Sequence, residues 1–260
     1  MVNRRRYHDQ IRQGLRRSPI VAVLGPRQCG KTTLARQFVE EHAAGSFSWF
    51  DLESPKDQAR LQNPELTLSA CQGWVVLDEI QQKPALFPIL RVLADRSPRS
   101  ARFLILGSAS PALLRASSES LAGRVAFVDL SGFTLEEVGY VERDKLWFRG
   151  GFPLSFLAAS DNESFAWRED FIRTFLSRDI PALGLTIPLV NLRRFWYMLA
   201  HYHGQIWNGS EIGRSLGLDY KTVGRYLDIL SGAYLVRQVS PWFENIKKRQ
   251  VKAPKVYLRD

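Results

Sequence analysis

Five short apolar runs along the first half of the chain predict the strands of a buried sheet. They cover residues 20–24, 47–52, 74–77, 103–106 and 125–130. Each is rich in valine, isoleucine, leucine or phenylalanine, as in strands that are covered on both faces. Helical spacing lies between them at residues 32–42 and 86–96, with a weaker pattern at 112–116. Because strands alternate with helices, we predict an α/β fold with a parallel sheet wrapped by helices.

The strand pattern stops after about residue 133, and helical spacing replaces it. We predict helices at residues 164–183 and 192–203, with turns such as RGGFP at 149–153 outside them. Residues 210–216 and 219–230 indicate two further helices joined by a tight turn, with Asp219 as an N-cap. Residues 234–239 and 256–258 predict a two-stranded wing. We therefore expect a basic segment at 1–18, a sheet domain at 19–135, a helical lid or linker at 136–190 and a winged-helix region at 191–260.

Composition narrows the class of protein without naming a function. Of 260 residues, 45 % are apolar and 24 % are charged, which is ordinary for a globular protein. No apolar run approaches the roughly 18 residues of a membrane-spanning helix, and the segment NRRRYHDQIRQGLRR lacks the apolar stretch of a secretory signal. Two cysteines form no disulfide framework, so we expect a reducing, cytoplasmic location.

The net charge of +10 is concentrated at the two ends of the chain. Residues 1–17 hold six arginines and one aspartate, and residues 240–260 hold six basic and two acidic side chains. Clusters of this kind attract nucleic acid or anionic surfaces. The alternative is a pair of solvated segments that only keep the protein soluble, and charge alone does not separate the two.

The segment VLGPRQCGKTTLARQ at 23–37 carries the strongest candidate chemistry. Gly25, Gly30, Lys31 and Thr32 follow the spacing G-x-x-x-x-G-K-[ST] between a predicted strand and a predicted helix, the context of a phosphate loop. Loop N–H groups and the helix N-terminus favour phosphate oxygens there. We predict that Lys31 reaches the terminal phosphates of ATP and that the Thr32 hydroxyl binds Mg²⁺. The predicted nucleotide contacts are Gly25, Pro26, Arg27, Gln28, Cys29, Gly30, Lys31, Thr32 and Thr33.

Cys29 lies inside this loop, close to a predicted helix N-terminus, where the pKa of a thiol tends to fall. A redox-sensitive thiol is one interpretation. A small side chain that the loop tolerates is the other.

The strand WVVLDEIQ at 74–81 ends in two acids that predict the second half of the site. Asp78 would organise Mg²⁺ opposite the phosphate loop, and Glu79 would activate the attacking water as a general base. The doublet favours hydrolysis over phosphate transfer to a small acceptor, which stays open. Ser108, at the end of FLILGSAS, would sense the γ-phosphate, or would only cap the following helix.

Two arginines are candidates for completing the site of a neighbouring subunit. Arg124 in SLAGRV precedes the last strand, and an arginine supplied in trans stabilises charge in the transition state. A surface arginine that begins a strand is the alternative. Arg178, beside Asp179, is the second candidate, although an ion pair at a helix end explains it as well.

The predicted helix at 219–230 carries a candidate surface for DNA. Its apolar stripe, Val223, Leu227 and Leu230, leaves Tyr220, Lys221, Thr222 and Arg225 on the outward face. In a helix-turn-helix such side chains meet phosphates or base edges, and IKKRQVK at 246–252 would lie between the wing strands. The alternative is a packing or lid module whose basic residues are simply solvated.

In chain order, the motifs GPRQCGKTTLARQ, FDLES, VVLDEIQ, GSAS, SLAGR, RGGFP and SRDI resemble one family. It is the group of prokaryotic AAA-type ATPases that carry a winged helix and a C-terminal nuclease-like domain of unknown function. The resemblance implies an AAA+ fold with ATP and Mg²⁺ at residues 25–32 and 78–79, and it matches Arg124 to the family's arginine before the last strand. Members continue past residue 260, so the resemblance implies that residues 191–260 hold the winged helix and only the start of a truncated C-terminal domain. We therefore expect no nuclease-like activity in this chain.

Two functions are compatible with these observations. The first is an AAA+ ATPase that couples ATP hydrolysis to a winged helix contacting DNA, with a homo-oligomer in which Arg124 acts in trans. The second is a nucleotide-gated interaction protein with negligible turnover, whose winged helix binds protein.

Overall fold

The computed structural model describes residues 2–42, 47–98, 100–108, 120–182, 187–242 and 253–260. By its contacts the chain divides into two compact units, Met1–Phe156 and Leu157–Asp260. The division into a basic segment, a sheet domain, a helical lid and a winged helix remains a prediction, because it assigns a role to each segment as well as its boundaries. Among the described residues, no helix is long and apolar enough to cross a membrane.

The first unit contains a five-stranded parallel sheet, as predicted. The strands run in the order β2-β3-β4-β1-β5 across the sheet. Each lies within a few residues of its predicted position, which confirms the α/β interpretation. Their bounds are β1 (Ile20–Gly25), β2 (Phe47–Asp51), β3 (Gly73–Asp78), β4 (Ala101–Ser108) and β5 (Val125–Asp129).

Strand β1 is fully buried, since it lies between two parallel neighbours, β4 and β5, in a sheet whose faces are covered by helices. In this register Gly25 lies beside Ser108, and Leu77 of β3 lies beside Ile105 of β4. Parallel strands present all their carboxyl ends at one edge of the sheet, where ligands bind in open α/β folds. The segments after β1, β3 and β4 therefore meet at that edge.

Helices surround this sheet, and several of them are absent from the predicted set. The unpredicted ones are α1 and the short helices. In α1 the few apolar residues lie among arginines, and the short helices have too few residues to show a period. The pattern at 112–116 lies outside the described residues. The bounds are α1 (Arg5–Arg17), α2 (Lys31–His42), α3 (Pro55–Arg60), α4 (Pro64–Ala70), α5 (Leu86–Ala94), α6 (Leu135–Val138), α7 (Arg143–Arg149) and α8 (Pro153–Phe156), with 3₁₀ turns at Ile80–Gln82 and Tyr140–Glu142.

Helix α1 shows why the basic N-terminal segment belongs to this unit. Its buried residues include Ile11 and Gly14, and its arginines lie mostly on the exposed face. A Cβ at Gly14 would come within 2.9 Å of the Val21 side chain, so glycine permits the close approach of α1 to β1. The segment is an amphipathic helix rather than a solvated tail.

The second unit is mostly helical and ends in an antiparallel strand pair. Its apolar core includes Leu192, Phe195, Val223, Leu227 and Val256. The bounds are α9 (Asp161–Thr174), a π-helical turn at Phe175–Asp179, α10 (Ile180–Ala182), α11 (Leu189–His201), α12 (Gly209–Leu216), α13 (Tyr220–Gly232), β6 (Val236–Val239) and β7 (Lys255–Leu258). The segment IKKRQVK lies outside the described residues.

Helices α12 and α13 are joined by a tight turn that depends on particular residues. Gly217 ends α12 in the left-handed conformation, with φ 68°. A Cβ at Gly213 would lie 2.6 Å from the Leu218 carbonyl oxygen, so a larger residue would push the turn away. Asp219 caps α13 by accepting hydrogen bonds from the N–H groups of Lys221 and Thr222 at 2.9 and 3.0 Å.

Candidate nucleotide site

The predicted phosphate loop connects β1, which ends at Gly25, to α2, which begins at Lys31. Gln28 and Gly30 have positive φ values of 62° and 93°, which turn the chain sharply before the helix. A Cβ at Gly25 would lie 2.2 Å from the Leu130 carbonyl oxygen, in the segment after β5. Only glycine fits there without moving the loop.

The Lys31 ammonium group is buried at the mouth of the loop, with 5 % of the residue exposed. Its Nζ donates to the carbonyl oxygens of Gly25 at 3.2 Å and Pro26 at 2.8 Å, and it lies 3.5 Å from the Ser108 Oγ. Within the described residues, no carboxylate is within ion-pairing distance of Lys31. A buried cation without a counter-ion favours an anionic ligand.

The two halves of the predicted site meet directly. The Thr32 hydroxyl donates a hydrogen bond of 2.9 Å to Asp78 Oδ2. Asp78 is the last residue of β3, and it is buried. The N–H of Glu79 donates to the other carboxylate oxygen of Asp78 at 3.0 Å. The side chains predicted to share a metal therefore lie together.

Gln81 links Glu79 to Ser108, and no motif in the sequence pointed to it. Its Nε2 donates to the Glu79 carboxylate, and its Oε1 accepts from the Ser108 N–H at 3.2 Å. Glu79 itself is left-handed, with φ 56° and ψ 48°, an uncommon conformation for a residue with a side chain. The signal that could have identified Gln81 is its position two residues after Glu79, just past a strand end.

Comparison with known proteins bears on this geometry. Residues 17–139 match the family profile described as an AAA domain, and residues 141–260 match a domain of unknown function, DUF8612. The Walker-type ATPase PABY2304 of Pyrococcus abyssi has a similar fold, with a TM-score of 0.64, 14 % identity, and coverage of 100 % of this chain and 94 % of that one.

Residues 17–139 are therefore similar to an AAA domain, and we refer to them as the AAA-type domain.

The chain is also 51 % identical over all 260 residues to the uncharacterized proteins Rv2008c of Mycobacterium tuberculosis and Mb2031c of Mycobacterium bovis. It spans 58 % of the length of each of these relatives. The match extends through both units, including the whole of the AAA-type domain.

The electrostatics at Asp78 fit a metal ion. Burial raises the pKa of this carboxyl to about 6, the neighbouring Glu79 charge adds to the increase, and the Thr32 hydrogen bond opposes it. A desolvated carboxylate beside a hydroxyl is a donor set that a hard divalent cation such as Mg²⁺ matches. Thr32 and Asp78 are therefore the residues of the AAA-type domain that would hold it.

The surroundings of Cys29 do not favour a redox-sensitive thiol. Its thiol is fully buried, and burial raises the pKa of the thiol despite the nearby charges of Lys31 and Arg4. A protonated, inaccessible thiol is a poor nucleophile. Desolvation outweighs the usual effect of a helix N-terminus here, which favours the interpretation of Cys29 as a small side chain that the loop tolerates.

A second residue missed by the sequence analysis, Arg4, holds the loop from behind. Its Nη1 donates to the Cys29 carbonyl oxygen at 3.0 Å, and its Nη2 donates to those of Ser131 and Gly132 at 3.0 and 3.1 Å. It also forms an ion pair of 2.7 Å with Glu137, and both side chains are 5 % exposed. One guanidinium group thus ties the phosphate loop to the segment that follows β5.

Arg124 lies away from these residues, at the start of β5 and therefore at the other edge of the sheet. Its guanidinium group makes two hydrogen bonds with Asp95, of 2.6 and 2.9 Å. Its role toward the nucleotide of a neighbouring subunit stays a prediction. Arg178 lies in the π-helical turn of the second unit, and its role toward a neighbouring subunit also stays a prediction.

We predict that Asp78→Asn stabilises the metal-free protein near neutral pH. The pKa of Asp78 rises from its ordinary 3.8 to about 6 on folding, so the folded state loses stability as pH rises from about 4 to about 6. At pH 7.5 the loss is on the order of 3 kcal/mol. Urea unfolding in EDTA should show a gain of this order in the variant, shrinking by at least half at pH 4.5.

Asp57→Asn is the matched control. The pKa of Asp57 is lowered, against a burial effect, by hydrogen bonds from the Asp51 N–H and Arg60, so its loss should destabilise the protein at pH 7.5. A gain in stability for both variants, or for neither, contradicts the assignment.

We expect Arg4→Ala to lower the free energy of unfolding by about 3–5 kcal/mol, because it leaves the buried Glu137 carboxylate unpaired. The control is Arg6→Ala, which removes the exposed pair with Glu136 on the same two segments. That pair should contribute less than about 1 kcal/mol. Urea unfolding of both variants measures the difference, and equal losses would count against the role of Arg4.

Proposed function

We propose that the chain binds ATP with Mg²⁺ at the AAA-type domain, hydrolyses it, and couples the nucleotide state to the second unit, which contacts DNA. The observation that carries the nucleotide part is the convergence of Lys31, Thr32 and Asp78. A buried ammonium group, which has no carboxylate at ion-pairing distance in the part of the chain that the structure describes, lies beside a hydroxyl–carboxylate pair. A triphosphate with its divalent cation supplies the charges that these groups lack.

Each group of the site has a distinct task in this proposal. Lys31 exchanges its two carbonyl acceptors for phosphate oxygens, and Thr32 and Asp78 hold Mg²⁺, which when bound neutralises charge on the phosphates. Glu79 accepts a proton from the water that attacks the γ-phosphorus, while the bond to the ADP oxygen breaks. Ser108, within reach of the Lys31 ammonium group, reports the presence of the γ-phosphate.

The contact between Gln81 and Glu79 favours a second candidate function, a nucleotide-gated switch with little turnover. In this arrangement the Gln81 amide holds one oxygen of the Glu79 carboxylate, so the carboxylate has to reorient or use its other oxygen to accept a proton from water. Phosphate release separates the two functions. Release that DNA stimulates supports the ATPase, whereas ATP binding without release supports the switch.

We predict that Lys31→Ala abolishes ATP binding and that Glu79→Gln preserves it. The lysine ammonium group contacts the phosphates in both the ground and transition states, while the glutamate acts only in the chemical step. Turnover of Glu79→Gln should fall at least about a hundredfold, the usual contribution of a general base. Calorimetric titration of ATP and a phosphate-release assay measure the two quantities.

Glu40→Gln is the control, since Glu40 is an exposed acid on α2. It should bind and hydrolyse ATP like the unmodified protein. Hydrolysis at the unmodified rate by Glu79→Gln would remove the proposed base, and unchanged ATP binding by Lys31→Ala would remove the proposed site.

The DNA part of the proposal is supported by the exposed face of α13. Tyr220, Lys221 and Arg225 are exposed near the start of the helix, after the tight turn that follows α12. The Thr222 hydroxyl instead donates to Asp219 at 2.6 Å, so it belongs to the helix cap. An exposed helix start with two cations and an aromatic ring matches the recognition helix of a helix-turn-helix.

We predict that the double variant Lys221→Gln/Arg225→Gln weakens duplex DNA binding by the full chain. Each lost phosphate contact should reduce the slope of log K against log salt by about 0.9. Filter binding over a salt series measures this change. The control, Arg173→Gln/Arg194→Gln, removes two exposed cations from other helices of the same unit. Equal effects of the two double variants would rule out a specific contact by α13.

A further inference from the structure

The amino-terminal edge of the sheet holds a cleft that is separate from the nucleotide site. Its volume is about 660 Å³, and an adjoining cavity of about 440 Å³ extends it toward α2. We call the two together the arginine cleft. The residues that line both parts are Leu15, Arg16, Trp74 and Arg102.

The strands place the arginine cleft far from the phosphate loop. Trp74 and Arg102 lie near the starts of β3 and β4 and are register partners. Asp78 and Ser108 end the same two strands. A strand of six residues spans roughly 17–20 Å. A ligand in the cleft therefore occupies the opposite edge of the sheet from Lys31.

Cationic side chains from three elements converge on the cleft. Arg12 and Arg16 lie one helical turn apart on α1 and thus on one face, Arg102 comes from β4, and Arg96 follows α5. Arg16 and Arg102 are exposed, and within the described residues neither has a carboxylate at ion-pairing distance. The N–H donors of these two guanidinium groups are therefore available for phosphate oxygens.

Among the described residues that line the larger cavity, the one carboxylate, Asp95, is already neutralised. Asp95 accepts the two hydrogen bonds from Arg124, at 2.6 and 2.9 Å. Without that pair, the carboxylate would oppose an anionic ligand. Arg12 and Arg96 are paired with Asp9 and Glu65 at 3.5 Å each, so the positive charge of the cleft rests on Arg16 and Arg102.

Trp74 gives the cleft an aromatic surface between the two cavities. Its indole is half-buried, and its ring meets Phe38 edge to face with centroids 5.3 Å apart. The Arg102 guanidinium group lies 6.0 Å from the centroid of the same indole. An aromatic ring that is fixed by packing and flanked by cations is the combination on which unpaired bases stack.

We propose that the arginine cleft binds single-stranded nucleic acid, with phosphates on Arg16 and Arg102 and a base stacked on Trp74. A duplex fits less well, because its bases are already stacked and unavailable to the indole. This contact goes beyond the proposed function, since it needs neither the nucleotide site nor α13.

The test is fluorescence anisotropy of a labelled single-stranded oligonucleotide titrated with the full chain over a salt series. Arg16→Gln/Arg102→Gln should weaken binding at least about tenfold at low salt and reduce the salt slope by about 1.4, or 0.7 per phosphate contact. The control is Arg5→Gln/Arg91→Gln, which removes two exposed cations of the same unit outside the cleft. It should bind like the unmodified chain. ATP-induced thermal stabilisation should persist in both.

A second measurement needs no variant. An oligonucleotide with 5-iodouracil, irradiated in complex with the chain, should crosslink to the peptide that contains Trp74.

Three results would overturn the proposal. The first is unchanged binding by the cleft variant while Lys221→Gln/Arg225→Gln loses it, which places the strand on the second unit. The second is an equal loss for the cleft and control variants. The third is a crosslink that forms only with peptides other than the one containing Trp74, together with displacement of the labelled oligonucleotide by an acidic peptide as efficient as displacement by unlabelled oligonucleotide. That result would indicate a surface for acidic proteins. Failure of ATP hydrolysis alone leaves these results unaffected.

Discussion

The position of β4 between β1 and β3 is the constraint on which the nucleotide site depends. In the parallel register, Ser108 lies beside Gly25 on one side, and β3 brings Asp78 to the same edge on the other. The phosphate loop and the acidic pair are thus separated by one strand, whose last residue contacts both Lys31 and Gln81. Any strand order that moved β4 would separate Ser108 from Lys31, which contacts its hydroxyl, and from Gln81, which accepts from its N–H.

Buried charge is the second organising feature of the AAA-type domain. Lys31 donates to two carbonyl oxygens and to the Ser108 hydroxyl. Asp78 accepts from a hydroxyl and an N–H, and Arg4 donates to carbonyl oxygens and one carboxylate. Lys31 and Asp78 each keep a charge that a bound ligand or metal ion can neutralise, whereas Arg4 and Glu137 neutralise each other. The same fold therefore uses buried ions for binding at the loop and for stability behind it.

The parts that sequence reasoning reached are those with a local signature. The strands, the loop glycines, Lys31, Thr32 and the acids at 78–79 each follow from a few neighbouring residues. Arg4 could not be found in this way, because its partners Cys29 and Glu137 lie 25 and 133 residues away. Gln81 depends on the order of β3 and β4, and the basic helix α1 hides its small apolar face among arginines. Cys29 shows the limit of a positional rule, since its burial depends on the packing of the whole loop.

Strands β3 and β4 connect the nucleotide site to the arginine cleft. Each carries a nucleotide-site residue at its carboxyl end and an arginine-cleft residue at its amino end, and the ladder between them fixes their relative register. Neighbouring strands cannot slide past each other without breaking the hydrogen bonds of the ladder. The two strands therefore hold the residues at their amino ends and those at their carboxyl ends at a fixed separation.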